Sequence, residues 1–201
     1  MTQLLESDPF SVRDDAQPRL LVLGLGNSIL RDDGVGIHAV RHFQLFAPWS
    51  CLAVEVGTAV LSALHLLGAA DKVIAFDAMQ AGGKPGTVYI LPAEDVLNEG
   101  IQNSLHEMDL QWALHTLKEP RPEVLVIAAE PEAIEYGMEL SPSLQAAIPI
   151  MIDAALAILE KWQNCGALGS RLSQADLSGV LVPLGRQQIL ALQSEDAATG
   201  V

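Results

Sequence analysis

The chain has 201 residues, 50% of them hydrophobic, which is enough for one sizeable core and too apolar for a main body that stays disordered. Its net charge of −14, from 25 acidic against 11 basic side chains, excludes nucleic acids and anionic membranes as partners, because both need basic patches. Two cysteines, Cys51 and Cys165, are too few and too ill-spaced for a disulfide framework or a C-x-x-C metal site.

In chain order, residues 1–18 hold Asp8, Pro9, Asp14, Asp15 and Pro18 without an apolar period, and read as a flexible lead. Leu20 to Gly24 is a first, wholly apolar strand, and a first helix is expected from Gly36 to Leu45. Leu52 to Val56 reads as a second strand, and Leu61, Leu64 and Leu67 recur at helical spacing within a helix over Val60 to Gly68. Val73 to Phe76 and Thr87 to Leu91 follow as strands, then a helix over Leu105 to Leu117 and a fifth strand over Val124 to Ala129. Ser141 followed by Pro142 is a helix cap with proline at the first helical position, opening a helix to about Trp162. Alternating strands and helices predict an α/β fold, a three-layer sandwich with a mostly parallel central sheet of about five strands. Residues 19–162 carry that pattern, and residues 163–201 are expected to form a partly disordered C-terminal extension, with apolar clusters at 180–184 and 189–192 and a disordered end over 194–201. No basic region followed by an apolar one marks residues 1–17 as a secretory signal, and no apolar run approaches the roughly 18 residues of a membrane span. A cytoplasmic address without membrane contact is therefore expected.

The first strand runs into a glycine-rich turn and then a pair of carboxylates: Gly24-Leu-Gly26-Asn27-Ser-Ile-Leu-Arg-Asp32-Asp33-Gly34-Val-Gly36. Carboxyl ends of strands are where open α/β sheets place their ligands, so this is an active-site edge. A dinucleotide-binding enzyme is one reading, but the third glycine of G-x-G-x-x-G is Ile29, and acidic side chains stand where a pyrophosphate needs N–H donors. Asn27 suits left-handed turn geometry, and Asp32 either caps the following helix or orients Asp33.

The segment resembles the hydrogenase maturation protease family, whose members begin with a strand and then G-x-G-N-x-L-x-x-D-[DE]-x-x-G; Ile29 is the departure. Glu55-Val-Gly57-Thr58 is similar to that family's D-G-G-T, with Glu55 and Val56 departing from it. Val73-Ile-Ala-Phe-Asp77 resembles the strand that ends in a metal-binding aspartate, and Ser104-Leu-His106 the S-x-H segment with the metal-binding histidine. Pro131-Glu132 and Glu139-Leu-Ser-Pro142 resemble its closing region. The resemblance implies an endopeptidase that removes the C-terminal tail of a nickel–iron hydrogenase large-subunit precursor after nickel insertion. It implies Asp33, Asp77 and His106 as ligands of the nickel supplied by that precursor, with Asp33 and Asp77 as the catalytic carboxylates and Asn27, Asp32, Gly57 and Thr58 around them.

The strand pattern agrees with this set, since Asp33 after strand one and Asp77 at the end of strand three emerge on one edge of a parallel sheet. Two carboxylates and an imidazole suit a borderline divalent ion and leave positions open for substrate. The alternative under the same resemblance is a non-catalytic nickel-binding checkpoint protein. His38 and His42 stand four apart, but Ala39 occupies the glutamate position of a zincin, so they read as partly exposed helix residues. Ser104 and the cysteines lack a base and orienter, which argues against a serine or cysteine protease.

Overall fold

The computed structural model describes residues 18–48, 50–96 and 105–165. The expected N-terminal lead falls almost wholly outside them, and so do Ser104 and residues 166–201 of the expected extension. Among the described residues twelve elements follow one another, beginning with strand β1 (Leu20–Leu25), a 3-10 turn (Arg31–Gly34) and helix α1 (Val35–Phe43). Then come β2 (Cys51–Gly57), a second 3-10 turn (Val60–Ala63), α2 (Leu64–Ala69), β3 (Lys72–Ala78), β4 (Val88–Pro92) and the short α3 (Ala93–Val96). Helix α4 (Leu105–Thr116), β5 (Glu123–Ala129) and α5 (Pro142–Cys165) complete the order.

The strands form one sheet in the order β2-β1-β3-β5-β4. All neighbours are parallel except β4, which pairs antiparallel with β5 at the edge. Every residue of β1, β3 and β5 is buried, as expected where helices cover both faces. Strand periodicity divides them cleanly: Leu20, Val22, Ile74, Phe76, Leu125 and Ile127 pack toward α1 and α5. Leu21, Leu23, Val73, Ala75, Val124 and Val126 pack toward α2 and α4. The chain thus forms the expected three-layer α/β sandwich.

Two expectations need correction. The helix over residues 60–68 opens as a 3-10 turn with no side-chain cap at Ala59, and 3-10 bonding tightens helix ends that lack such a cap. Its inward face consists of Val60, Ala63, Leu66 and Leu67, whereas Leu61 is exposed. Secondly, Pro142–Asn164 is long and apolar enough to cross a membrane, with a hydropathy of 1.6, although no such run was expected. In the fold this stretch is a core helix whose Leu144, Ala147, Met151, Ala155, Ile158 and Trp162 are buried. Helix α5 starts as predicted, the Leu144 N–H donating to Ser141 Oγ at 3.4 Å. It continues to Cys165, past the expected boundary at Trp162, and the Gln163 amide donates to Ser50 Oγ at 2.6 Å.

Close approach of α1 to the sheet depends on glycine. A Cβ on Gly36 would lie 2.2 Å from the Phe76 carbonyl oxygen and 2.5 Å from that of Leu25. The start of α1 is thereby seated across the carboxyl ends of β1 and β3. These two strands flank the point where the chain, having moved outward to β2, returns to the other side of β1, which is the crevice where open α/β sheets bind ligands.

Candidate functional site

At the carboxyl end of β1 the backbone turns at Gly26 with φ 107°, and a Cβ there would lie 1.9 Å from the Asp33 carbonyl oxygen, so a side chain is excluded. Asn27 Oδ1 accepts the Ile29 N–H at 3.2 Å, an Asx turn that accounts for asparagine here. The Asn27 backbone N–H in turn donates to Asp33 Oδ2 at 3.0 Å. Asp33 is nearly buried and held on the 3-10 turn beside β3. Asp77, fully buried at the penultimate position of β3, accepts the Ala78 N–H through Oδ1 at 2.8 Å. The structure therefore brings both carboxylates to the same edge, after neighbouring parallel strands, as the strand pattern predicts.

Gly57 ends β2 beside Leu25, where the register slips by one residue at Val56, and the exposed Thr58 follows. Both stand on the same carboxyl edge. Glu55 faces away into a two-point ion pair with Arg41 at 2.8 and 2.9 Å, with no part at that edge. His106 is the second residue of α4, and its side chain lies outside the described residues. Among the described residues no group of three or more possible metal ligands is assembled. His38 is half-buried and His42 exposed on α1, where His42 Nδ1 meets the His38 carbonyl oxygen at 2.9 Å. Burial pushes the His38 imidazole down, helped by the charges of Arg41 and His42.

Asp32 does not take the expected capping role. No side chain caps α1, and the buried Asp32 carboxylate instead accepts backbone N–H groups of Ser141 at 2.7 Å, Glu132 at 2.9 Å and Ala133 at 3.0 Å. Burial alone would raise this carboxyl, but the hydrogen bonds from Ser141 and Ala133, and then Glu132, outweigh it and hold the group below its usual range. The physical reason is geometric: residues 131–141 lie alongside the turn with N–H groups unmet by any strand, and a buried anion is the strongest acceptor for them.

A further buried carboxylate that sequence reasoning missed is Glu130, directly after β5. It accepts the Ala81 N–H at 2.9 Å, the Gly82 N–H at 3.3 Å and the Tyr89 hydroxyl at 2.6 Å. The loop that follows Asp77 is thereby fixed to β5 and β4. Burial, then the hydrogen bond to Glu130, pushes the Tyr89 phenol well above its ordinary value. A glutamate at the end of the apolar run Val124 to Ala129 was the available signal.

Fold and edge together define a three-layer α/β protein with two fixed carboxylates at a topological switch point. A family model described as hydrogenase maturation protease matches residues 37–158, a span that contains Asp77 and His106 and begins just after Asp33. The chain is 30% identical over 162 residues to the hydrogenase expression/formation protein HupD of Rhizobium leguminosarum bv. viciae, covering 77% of this chain and 80% of that protein. It is 29% identical over 150 residues to the hydrogenase 2 maturation protease of Escherichia coli, covering 71% and 92%. Among solved structures it superposes on the hydrogenase maturating endopeptidase HybD from E. coli with a TM-score of 0.65 at 29% identity, covering 71% of this chain and 93% of that one. The chain belongs to the hydrogenase maturation protease family, a family of endopeptidases.

Proposed function

We propose that this endopeptidase removes the C-terminal tail of a nickel–iron hydrogenase large-subunit precursor once nickel has been inserted, and that Asp33, Asp77 and His106 bind the nickel held by that precursor. The observation that carries the reading is the placement of two fixed carboxylates at the carboxyl ends of adjacent parallel strands. Two carboxylates and an imidazole suit a borderline divalent ion and leave coordination positions for groups of the precursor.

In this reading the ion belongs to the substrate and acts as a recognition signal: a precursor without it lacks the group that seats its peptide on the edge. Asp33 and Asp77 then have two duties, to hold the ion and to take the proton of the water that attacks the scissile carbonyl. The backbone N–H of Asn27 on Asp33 and that of Ala78 on Asp77 each occupy part of a carboxylate, which fixes its direction.

The test is the mass of the large-subunit precursor after incubation with the purified protein, with and without nickel loading. Shortening of the nickel-loaded precursor alone is expected. Equal shortening of both overturns the nickel reading, and binding without shortening favours a non-catalytic checkpoint.

A further inference from the structure

Residues 131–140 form a ledge beside Asp33 that is built rather than loose. The Arg31 N–H donates to the Gly137 carbonyl at 2.8 Å, the Gly137 N–H to the Ile29 carbonyl at 3.0 Å and the Asp32 N–H to the Ala133 carbonyl at 3.3 Å. The Asp32 carboxylate binds two more of its N–H groups, and Arg31 pairs with Glu135 at 2.5 Å. On this fixed backbone Tyr136 is 87% exposed, Met138 71% and Ile134 43%, while Ile29, bonded to Gly137, is 52% exposed. Exposing four apolar side chains on one short segment and the turn bonded to it gains nothing for folding, and exposed apolar surface of this kind marks interaction sites. Tyrosine and methionine are also the types enriched at interface cores.

The chemistry around the crest says what fits it. Glu132, Glu135 and Glu139 are exposed on the same segment, which has no basic residue of its own, and Arg31 of the turn is paired with Glu135. The surface is apolar with an acidic rim. It is bonded to the turn that carries the site, because the residues that hold the ledge, Ile29 to Asp32, are those immediately before Asp33.

We propose that this ledge docks the precursor itself, taking a segment that presents apolar side chains flanked by lysine or arginine. The proposal rests on the reading of the chain as a protease of a hydrogenase large-subunit precursor. A chain lying along the ledge is led to Asp33, so the surface contributes to capture of the substrate and leaves the bond-breaking step alone.

The test compares the full-length protein with the double variant Tyr136→Ser, Met138→Ser, using nickel-loaded large-subunit precursor as the probe. Both positions are exposed, so thermal unfolding of the variant should match wild type. Precursor binding should weaken about tenfold or more, and KM should rise by a similar factor with kcat within about twofold, since buried aromatic anchors dominate interfaces. In a separate arm, Glu139→Lys should weaken binding and flatten its dependence on salt. Equal precursor binding by wild type and the double variant overturns the docking surface. A wild-type protein that binds the precursor without shortening it overturns the proteolytic reading alone, and the docking surface then stands on the tenfold loss of binding. A dimeric wild type, a monomeric variant and unchanged precursor binding in sedimentation and titration would assign the crest to self-association and overturn the proposal.

Discussion

Asp32 accepts the backbone N–H of Ser141 at 2.7 Å across 109 residues of chain. Ser141 also caps α5, so one buried carboxylate ties the turn that carries Asp33 to the start of the longest helix. Through Glu132 and Ala133 it fixes the segment between them as well. The two neighbouring aspartates therefore have different partners: Asp32 holds the edge together, and Asp33 accepts the Asn27 N–H at 3.0 Å and, under the proposed function, is left to bind the precursor's nickel.

Asp32→Ala is accordingly expected to cost about 2–4 kcal/mol of stability, because three N–H groups lose a charged, buried acceptor. Asp32→Asn keeps one acceptor oxygen and should cost roughly half as much on the same grounds. Urea unfolding of each variant measures this. A change under about 0.5 kcal/mol in Asp32→Ala, the range of ordinary surface substitutions, would contradict the clamp.

Acid should act through the same residue. The folded Asp32 carboxyl lies below its unfolded value of about 3.9, so between the two values the unfolded chain binds more protons and stability rises with pH. Its contribution is complete above about pH 4–5 and is lost as pH falls through the folded value. The gap in unfolding free energy between wild type and Asp32→Asn should be widest at pH 7 and narrow below about pH 4. A gap independent of pH would show that folding leaves the Asp32 carboxyl at its unfolded value, contrary to the lowering by its hydrogen bonds.

The sheet was legible in the residues because β1, β3 and β5 are buried on both faces and so read as unbroken apolar runs. The same pattern puts Asp77, at the end of β3, and Asp33, on the turn after β1, on one sheet edge, whereas their roles there are implied by the family resemblance alone. What stayed hidden were pairings between distant positions. Nothing near Asp32 foretells Ser141, and nothing near Glu130 foretells the Ala81 N–H, 49 residues away. Leu61 misled because a regular spacing of leucines fits a helix, while the observed turn begins with 3-10 geometry and rotates that side chain outward.

Residues 1–17 carry no apolar period, and the described fold opens with Pro18 buried and Arg19 paired to Asp71 at 2.7 Å. Removing residues 1–17 should therefore leave cooperative thermal unfolding intact. Loss of cooperativity in that truncation would move the domain boundary.

Asp77→Asn separates site from fold. The amide keeps the size of the carboxylate and an oxygen for the Ala78 N–H, so the sheet should persist, with circular dichroism close to wild type. Under the proposed function the lost charge removes a ligand and a base together, so precursor processing should fall by at least about a hundredfold, the low end of general-base contributions. Full processing by the Asn variant would rule Asp77 out.

His106 gives the sharpest test of metal recognition. A neutral imidazole is a good nickel ligand, and a methyl in its place leaves two carboxylates and water, a harder set that holds the ion less well. His106→Ala should therefore accumulate unprocessed precursor while keeping its fold. His38→Ala and His42→Ala serve as controls: both side chains stand on α1, His42 engaged with the His38 carbonyl and His38 feeling the charges of Arg41 and Glu55, and processing should stay near normal. Reagents that acylate serine or alkylate cysteine should have little effect, because the proposed function uses neither nucleophile. The comparison is precursor mass over time for each variant, with nickel-loaded and nickel-free substrate. Wild-type rates from His106→Ala would remove the histidine from the ligand set even if Asp33 and Asp77 prove essential.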